Sequence, residues 1–322
     1  MIFEGIANGY RSAMFSATGF FDFTKQGFER NQRQFKAISG AFENVTVLIS
    51  GANTGLGFAA AKQIAGFGAA VHLLCRNKER GEKALEELKQ LGLTTVHLHI
   101  VDVSSVSDVK RFVAEWAARA DSKIDVLVNN AGILPAKRTE TPDGLESTFA
   151  TNTLGTYSLT TLLIPYLEKS QDPRVINVSS GGALTVKLAV TDVNYTAKPA
   201  SSFEGSAVYA QTKRQQIELT EYWATKFPKT RFLSMHPGWA DTPGVQTSIP
   251  EFRNFMKDRL RSSDQGADTI VWAALSQEAR DMRNGAFLFD RKEVSQHLFL
   301  SGTRATAGDV EKLVEICERY IK

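Results

Sequence analysis

Tyr209 and Lys213 stand four residues apart in VYAQTKRQQIELTEYWATKF, whose apolar positions recur at three- and four-residue steps. On a helix the two side chains leave one face, one turn apart. A phenol ionises at about pH 10 when unperturbed, and a neighbouring ammonium favours the phenolate and lowers that value. The pair therefore fits proton transfer to an oxygen that gains negative charge, as a carbonyl oxygen does when hydride reaches its carbon. Tyr-x-x-x-Lys pairs also occur on helices for no chemical reason, so the reading depends on what accompanies them. Ser179 and Ser180 close the apolar run RVINVSS, where a hydroxyl can hold the same oxygen.

A second group of residues has the types needed to hold a dinucleotide. The apolar run VTVLIS leads into SGANTGLGFAA, with Gly51, Gly55 and Gly57 at the turn into a helical pattern. Glycine permits positive φ and close approach of a pyrophosphate to the positive helix terminus, although a tight strand–helix turn needs glycine too. The next apolar run ends in HLLCRN, so Arg76 occupies the place where an acidic residue would hold both ribose hydroxyls. An arginine there suits a 2′-phosphate, which points to NADP(H), against the alternative of a solvated helix start. Asp102, at the end of IVD, is read either as an acceptor for the adenine amino group or as the N-cap of the following helix. In IDVLVNNAG, Asn129 and Asn130 are poor strand formers and so imply a specific role. Ala131 and Gly132 after them leave room for a cofactor.

These residues need a scaffold that brings them together. Seven short apolar runs near 45–50, 70–75, 95–102, 124–132, 174–180, 231–237 and 285–290 alternate with six amphipathic helical stretches. Strands of near-continuous Val, Ile and Leu are buried on both faces, which implies a parallel sheet covered by helices. The expected fold is α/β, a Rossmann-type doubly wound sheet of seven parallel strands with helices on both faces. Binding groups then gather at the carboxyl ends of the strands. Residues 1–42 are read as an amphipathic leader and 43–322 as a single domain.

SGANTGLG, NNAG, the asparagine of TNTLG, the serine of NVSS, YAQTK and HPGWADT occur in the order found in the short-chain dehydrogenase/reductase family, which the chain resembles over about 43–290. The resemblance implies a catalytic set of Asn152, Ser180, Tyr209 and Lys213. In that set Lys213 also holds the nicotinamide ribose and Asn152 anchors a water linking Lys213 to solvent. It implies cofactor contacts from Gly51, Asn53, Thr54, Gly55, Leu56 and Gly57, from Asp102 and Val103, and from Asn130, Ala131 and Gly132. Pro237 and Gly238 would turn against the nicotinamide and Thr242 would bond its carboxamide. It further implies a substrate lid at about 243–262, in which Phe252, Phe255, Met256 and Leu260 fit either a hydrophobic substrate or ordinary packing. The family often dimerises through helices near 155–168 and 208–226, so a homodimer is an expected partner. A longer stretch than the family minimum, residues 185–206, separates Ser180 from Tyr209 and is expected as a loop beside the pocket that shapes or covers it. The expected activity is NADP(H)-dependent interconversion of a carbonyl and an alcohol on a small lipophilic substrate. A nucleotide-binding regulator without turnover and a sugar-nucleotide epimerase are the competing readings, and the intact four-residue set and the absence of a large second domain weigh against them.

The rest of the sequence narrows the setting. Of its 322 residues 43% are hydrophobic and 23% charged, and the net charge is +3, ordinary values for a globular enzyme. No basic run interleaves with aromatics, so no nucleic acid is expected. His72, His97, His99, His236 and His297 show no ligand spacing and no metal is assigned; His236 is read as structural. Two cysteines and the lack of a secretory signal or long apolar span give an intracellular expectation, cytoplasmic or peripherally membrane-associated and not secreted. In the leader, Phe3, Ile6, Tyr10, Ala13, Met14, Ala17, Phe20 and Phe21 form one apolar helical face. Docking of that face on protein is preferred to a membrane surface, because its polar side is weakly basic.

Overall fold

The computed structural model describes residues 2–197 and 199–322, with side chains from Gly9 onward. The leader comprises α1 (Ile2–Thr18), a π-helical turn (Gly19–Phe23) and α2 (Lys25–Gln32). Then follow β1 (Thr46–Ser50), α3 (Gly55–Gly66), β2 (Ala70–Cys75), α4 (Lys78–Gln90), β3 (Val96–Ile100), α5 (Val106–Ala117) and β4 (Val126–Asn129). A π-helical turn (Phe149–Leu154) opens α6 (Gly155–Leu167), followed by β5 (Arg174–Val178), α7 (Gly205–Lys226) and β6 (Arg231–His236). Short helices α8 (Pro243–Ser248) and α9 (Pro250–Met256) precede α10 (Ser263–Leu275) and α11 (Gln277–Arg280). The chain ends with β7 (Phe287–Phe289), β8 (Lys292–Glu293) and α12 (Ala307–Ile321).

The sheet order is β3-β2-β1-β4-β5-β6-β7-β8, with every pairing parallel except the last. The two-residue strand β8 adds an antiparallel edge to the seven expected strands. Its pattern is too short to read from sequence. Alternation along the strands separates two cores. Val47, Ile49, Leu73 and Val128 face α3 and α10 on one side, and Leu48, Leu74, Leu127 and Val175 face α5, α6 and α7 on the other. Chain order reverses between β1 and β4, which opens a crevice beyond their carboxyl ends. Among the described residues, no helix is long and apolar enough to cross a membrane.

The leader packs on the body, though not by the expected face. Ala13, Ala17, Phe20 and Phe21 are exposed, whereas Gly19, Phe23 and Phe28 are buried and Met14 and Phe15 half-buried. Phe3 and Ile6 lie outside the described side chains. Within α1 the inward face is that of Met14, Phe15 and Thr18, and the π turn shifts the helical phase again after Thr18.

The attachment centres on Arg261, whose guanidinium is 1% exposed and pairs with the equally buried Asp290 at 2.5 and 2.9 Å. Arg261 also donates to the carbonyls of Asp22 (2.7 Å), Phe23 (3.1 Å) and Thr24 (3.2 Å), which terminate the π turn. Asn31 of α2 donates to the same Asp290 carboxylate at 2.9 Å. Gly238 makes this possible: it has φ +77°, and a Cβ there would lie 2.3 Å from Arg261 Nε.

Removing one charge of a buried pair leaves the other uncompensated, which costs about 3–5 kcal/mol. Asp290→Asn is therefore expected to lose stability of that order in urea unfolding and to expose Lys25 and Arg30 to trypsin. A change within about 0.5 kcal/mol, the scatter of surface substitutions, with an unchanged digest would contradict the clamp.

Candidate active site

Beyond the carboxyl ends of β1, β4, β5 and β6 lies a cavity of about 900 Å³. At one end Gly51 (φ +65°) and Gly55 (φ +57°) bend the chain from β1 into α3. A Cβ at Gly51 would lie 2.9 Å from Ala131 Cα, so the loops after β1 and β4 touch only because residue 51 has no side chain. Asn53, Thr54, Gly55 and Leu56 line the cavity. Thr54 is the N-cap residue of α3 but offers its first-turn amides no side-chain acceptor, leaving those donors at the positive helix end.

Gly57 is not on the wall. A Cβ there would sit 2.4 Å from Asn130 Nδ2 and 2.5 Å from Gly51 O, so this glycine serves the packing of α3 against the strand loops. Asn130 does line the cavity, but its amide is turned back, donating to Ser50 O (2.9 Å) and Gly51 O (3.1 Å). Asn129 explains its own presence in a strand. It is buried and donates to Thr160 Oγ1 and Asn177 Oδ1, both at 2.8 Å, joining β4 to α6 and β5.

Arg76 follows β2 and lines the cavity with Asn77 and Arg80, its side chain 59% exposed. Its nearest carboxylate is Asp102, 3.9 Å away. Asn77, not Arg76, starts the helix: its side chain accepts from Arg80 N at 2.9 Å. Asp102 is not the N-cap of α5, a position held by Ser105. Its Oδ1 accepts from Ser104 N (3.0 Å) and Ser104 Oγ (2.7 Å), while Asp102 and Val103 both remain on the cavity wall.

At the opposite end, α7 presents Tyr209 and Lys213 and the end of β5 presents Ser180. Ser180 stands beside Tyr209 on the cavity wall, and its hydroxyl accepts from Gly182 N at 3.2 Å. Ser179 is buried and donates to Lys213 O at 2.8 Å, tying β5 to α7. Lys213 Nζ donates to Val178 O (2.7 Å) and Gln216 Oε1 (3.1 Å) and lies 5.4 Å from the Tyr209 ring centre. A Cβ at Gly132 would come within 3.2 Å of this nitrogen, so Gly132 also makes room for the lysine.

The electrostatics differ from the expectation that Lys213 lowers the Tyr209 pKa. Burial pushes Tyr209 up to about 12, opposed by the Ser180 hydroxyl, and burial brings Lys213 down to about 7. A lysine with two neutral acceptors and no carboxylate has little to hold its charge. Asn152 lies behind this pair. It is fully buried behind the cavity wall, with Oδ1 accepting from Ile133 N (2.8 Å) and Nδ2 donating to Ile133 O and Thr212 Oγ1 (3.0 Å each). Its carbonyl accepts from Thr156 Oγ1 (2.8 Å) and Gln216 Nε2 (2.7 Å). These hydrogen bonds tie Asn152 to the chain and not directly to Lys213. Gln216 instead joins Asn152 to Lys213, a residue readable from the sequence as the next position on the Tyr209–Lys213 face.

After β6, Pro237, Gly238 and Thr242 line the cavity, and Thr242 Oγ1 also accepts from Val245 N (3.3 Å) to cap α8. The lid segment divides. Phe252 faces the cavity, Phe255 is 74% exposed, and Met256 and Leu260 are buried as ordinary packing. Among the described residues of the 185–206 stretch, only Ser206 lines the cavity, while Leu188 and Val190 pack into the core on the α5–α7 side. His236 is buried, accepts from Gly181 N at its Nδ1 (2.9 Å) and leaves Nε2 without a hydrogen-bonding partner, so burial holds the ring neutral with its pKa down to about 3. Phe15 and Trp239, which motif reading did not single out, also stand on the wall. Among the described residues, no group of three or more His, Cys, Asp or Glu is placed to hold a metal.

A lysine pKa of about 7 means that Lys213 is neutral above neutrality and charged below it. In ¹⁵N NMR of lysine-labelled, cofactor-free protein, assigned with Lys213→Met, the Nζ resonance should titrate near pH 7. A midpoint close to the ordinary 10.5 would refute the account of its burial.

Comparison with known proteins agrees with this geometry. Residues 45–251 match the family model described as short chain dehydrogenase. The chain is 46% identical over 313 residues to human dehydrogenase/reductase SDR family member 12, covering 96% of this chain and 97% of that protein. It is 30% identical to human retinol dehydrogenase 13 over 75% of each chain. The crystal structure of 3-ketoacyl-(acyl-carrier-protein) reductase from Brucella melitensis complexed with NADH superposes with a TM-score of 0.59 at 28% identity, covering 76% of this chain and 95% of that one. The chain thus belongs to the short-chain dehydrogenase/reductase family of oxidoreductases.

Proposed function

We propose that this chain is an NADP(H)-dependent oxidoreductase that interconverts a carbonyl and an alcohol on a lipophilic substrate, with Tyr209 moving the proton. The observation that carries the reading is the layout of one cavity, with the glycine turn and Arg76 at one end and Ser180, Tyr209 and Lys213 at the other. The residues present fit a dinucleotide. The uncapped amides of α3 suit a pyrophosphate, the small Ala131 and Gly132 leave the floor open, and Arg76 suits a 2′-phosphate with no acidic residue at the end of β2. Bound NADPH would supply the hydride at its nicotinamide C4.

The chain's own residues handle the oxygen and the proton. Ser180, fixed at the end of β5 by Gly182 N, donates to the substrate oxygen as charge builds there. Tyr209 gives its phenolic proton to that oxygen, completing the alcohol; in the reverse direction the phenolate accepts it. Lys213 is the adjustable partner. The hydroxyls of a bound nicotinamide ribose would offer acceptors that favour its ammonium form, and an ammonium 5.4 Å from the ring centre would stabilise the phenolate. Apolar wall residues such as Trp239, Ile249 and Phe252 favour a lipophilic substrate, and the kinship with retinol dehydrogenases supports the same class.

Arg76 is the residue that separates NADPH from NADH. Arg76→Asp sets a carboxylate against the 2′-phosphate in place of a charge-assisted hydrogen bond, so NADPH binding is expected to weaken about ten- to a hundredfold. NADH affinity should be unchanged or improved. Fluorescence titration of both nucleotides against both proteins measures this. Failure of the wild type to bind either nucleotide would overturn the enzymatic reading. Equal weakening for both would overturn the role of Arg76.

A further inference from the structure

Phe15 belongs to a segment that precedes the first strand by about thirty residues, yet it stands on the wall of the catalytic cavity. Its ring lies against Gly181, the residue after Ser180: a Cβ at Gly181 would fall 2.9 Å from Phe15 Cε2. Phe15 meets Trp239 at 6.1 Å and 67°, and Trp239 meets Phe252 of the lid at 5.2 Å and 83°, both edge to face. All three rings line the cavity.

The seat for this wall is built from residues outside the cavity. Gly19 lets the leader cross the Trp239 ring, since a Cβ there would lie 2.3 Å from Trp239 Cζ2. Trp239 N donates to Phe23 O at 2.7 Å, and Arg261 holds the carbonyls of Asp22, Phe23 and Thr24. Farther along α1, Tyr10 OH donates to Phe299 O (2.9 Å) and Arg11 Nε to Ser301 O (2.8 Å). From Tyr10 onward the helix is therefore pinned, and Phe15 is presented from a fixed frame.

We infer that the leader is the specificity wall of the active site: Phe15, with Trp239 and Phe252, forms an aromatic box for an apolar group bonded directly to the substrate's carbonyl carbon, and Phe15 limits that group's size. This rests on the oxidoreductase reading above. Because Phe15 adjoins the residue next to Ser180, a substrate whose oxygen is held by Ser180 brings its first carbon substituent against this ring. Stacking partners for a π-system on three sides favour aromatic carbonyls over short aliphatic ones.

The experiment uses the full chain with NADPH and three aldehydes of growing ring size: benzaldehyde, 2-naphthaldehyde and 9-anthraldehyde. Their kcat/KM values are measured for wild type, Phe15→Ala and Phe15→Trp, together with the Kd for NADPH. Calorimetric binding of the matching alcohols to the NADPH complex, which holds no hydride acceptor, gives the same comparison without turnover. Phe15→Ala should shift preference toward the larger rings by about tenfold or more and Phe15→Trp in the opposite sense, the scale expected for reshaping an apolar pocket. NADPH affinity should stay within about twofold, because Phe15 is remote from the glycine turn and Arg76. An unchanged order and ratio across wild type and both variants, in turnover or in alcohol binding, overturns the inference, as does failure of every alcohol to bind the wild type. Absence of NADPH binding in the wild type overturns the oxidoreductase reading instead, and alcohol binding to the protein alone then decides the wall.

Discussion

The guanidinium of Arg261 lies in the interior, and the structure around the active site is arranged to keep it there. A dry cation needs both a counter-charge and acceptors for its remaining hydrogens. Asp290, from the turn between β7 and β8, supplies the charge, and three successive carbonyls of the leader supply the acceptors. Phe28 and Phe289 complete the enclosure, their ring centres 5.2 and 4.8 Å from the cation. Four segments are fixed through this group: the end of the leader's π turn, the turn at Gly238, the segment after α9, and the sheet edge. The cavity wall made by Phe15, Trp239 and Phe252 inherits its position from that junction. A pair so placed contributes less to net stability than to uniqueness of arrangement, since an apolar substitute could bury similar area without holding the carbonyls.

The chemical end of the cavity is governed by a different constraint, the scarcity of charge around Lys213. Val178 O and Gln216 Oε1 solvate the amine but do not oppose its charge, and Tyr209 is correspondingly hard to ionise. The unliganded site thus rests with a neutral phenol beside an amine that changes charge near neutrality. Under the proposed reading Lys213 would hold the nicotinamide ribose, whose hydroxyls would shift that balance, so the proton-transfer pair would become competent with the hydride donor in place. Asn152 acts behind this pair, holding Ile133 and the start of α6, and Gln216 carries its influence to the lysine.

The sheet and its crevice were legible because apolar runs of fixed period leave few alternatives once helices alternate with them. The order of the motifs along the chain was equally clear: the glycine turn, Arg76, Ser180, Tyr209 and Lys213 line the same cavity, whereas Asn152 and Gly57 stand behind its wall. What could not be read was which neighbour each polar group faces. Gly57 packs under Asn130, Gly238 makes way for Arg261, and Asp102 holds Ser104 instead of opening α5. All three depend on neighbours distant in sequence or on a turn geometry with no distinctive composition. The leader failed for another reason. Within α1 the inward face carries Met14, Phe15 and Thr18, one position from Ala13 and Ala17, and the π turn beyond it changes the phase again and leaves Phe20 and Phe21 exposed. For the 185–206 stretch, position between Ser180 and Tyr209 implies a loop beside the pocket that shapes or covers it, but not that Leu188 and Val190 draw it into the core and leave Ser206 at the cavity.

The central claim is that hydride and proton meet on one carbonyl in this cavity. It is tested most directly by supplying NADPH deuterated at C4 with an apolar aldehyde and examining the alcohol by mass spectrometry. Deuterium should appear on the carbinol carbon with the wild-type chain. In Tyr209→Phe the rate should fall about 10²- to 10⁴-fold, the scale of a missing general acid, while NADPH binding persists. NADPH binding without deuterium transfer to any of a graded series of apolar aldehydes and ketones, or equal rates in wild type and Tyr209→Phe, would contradict the account.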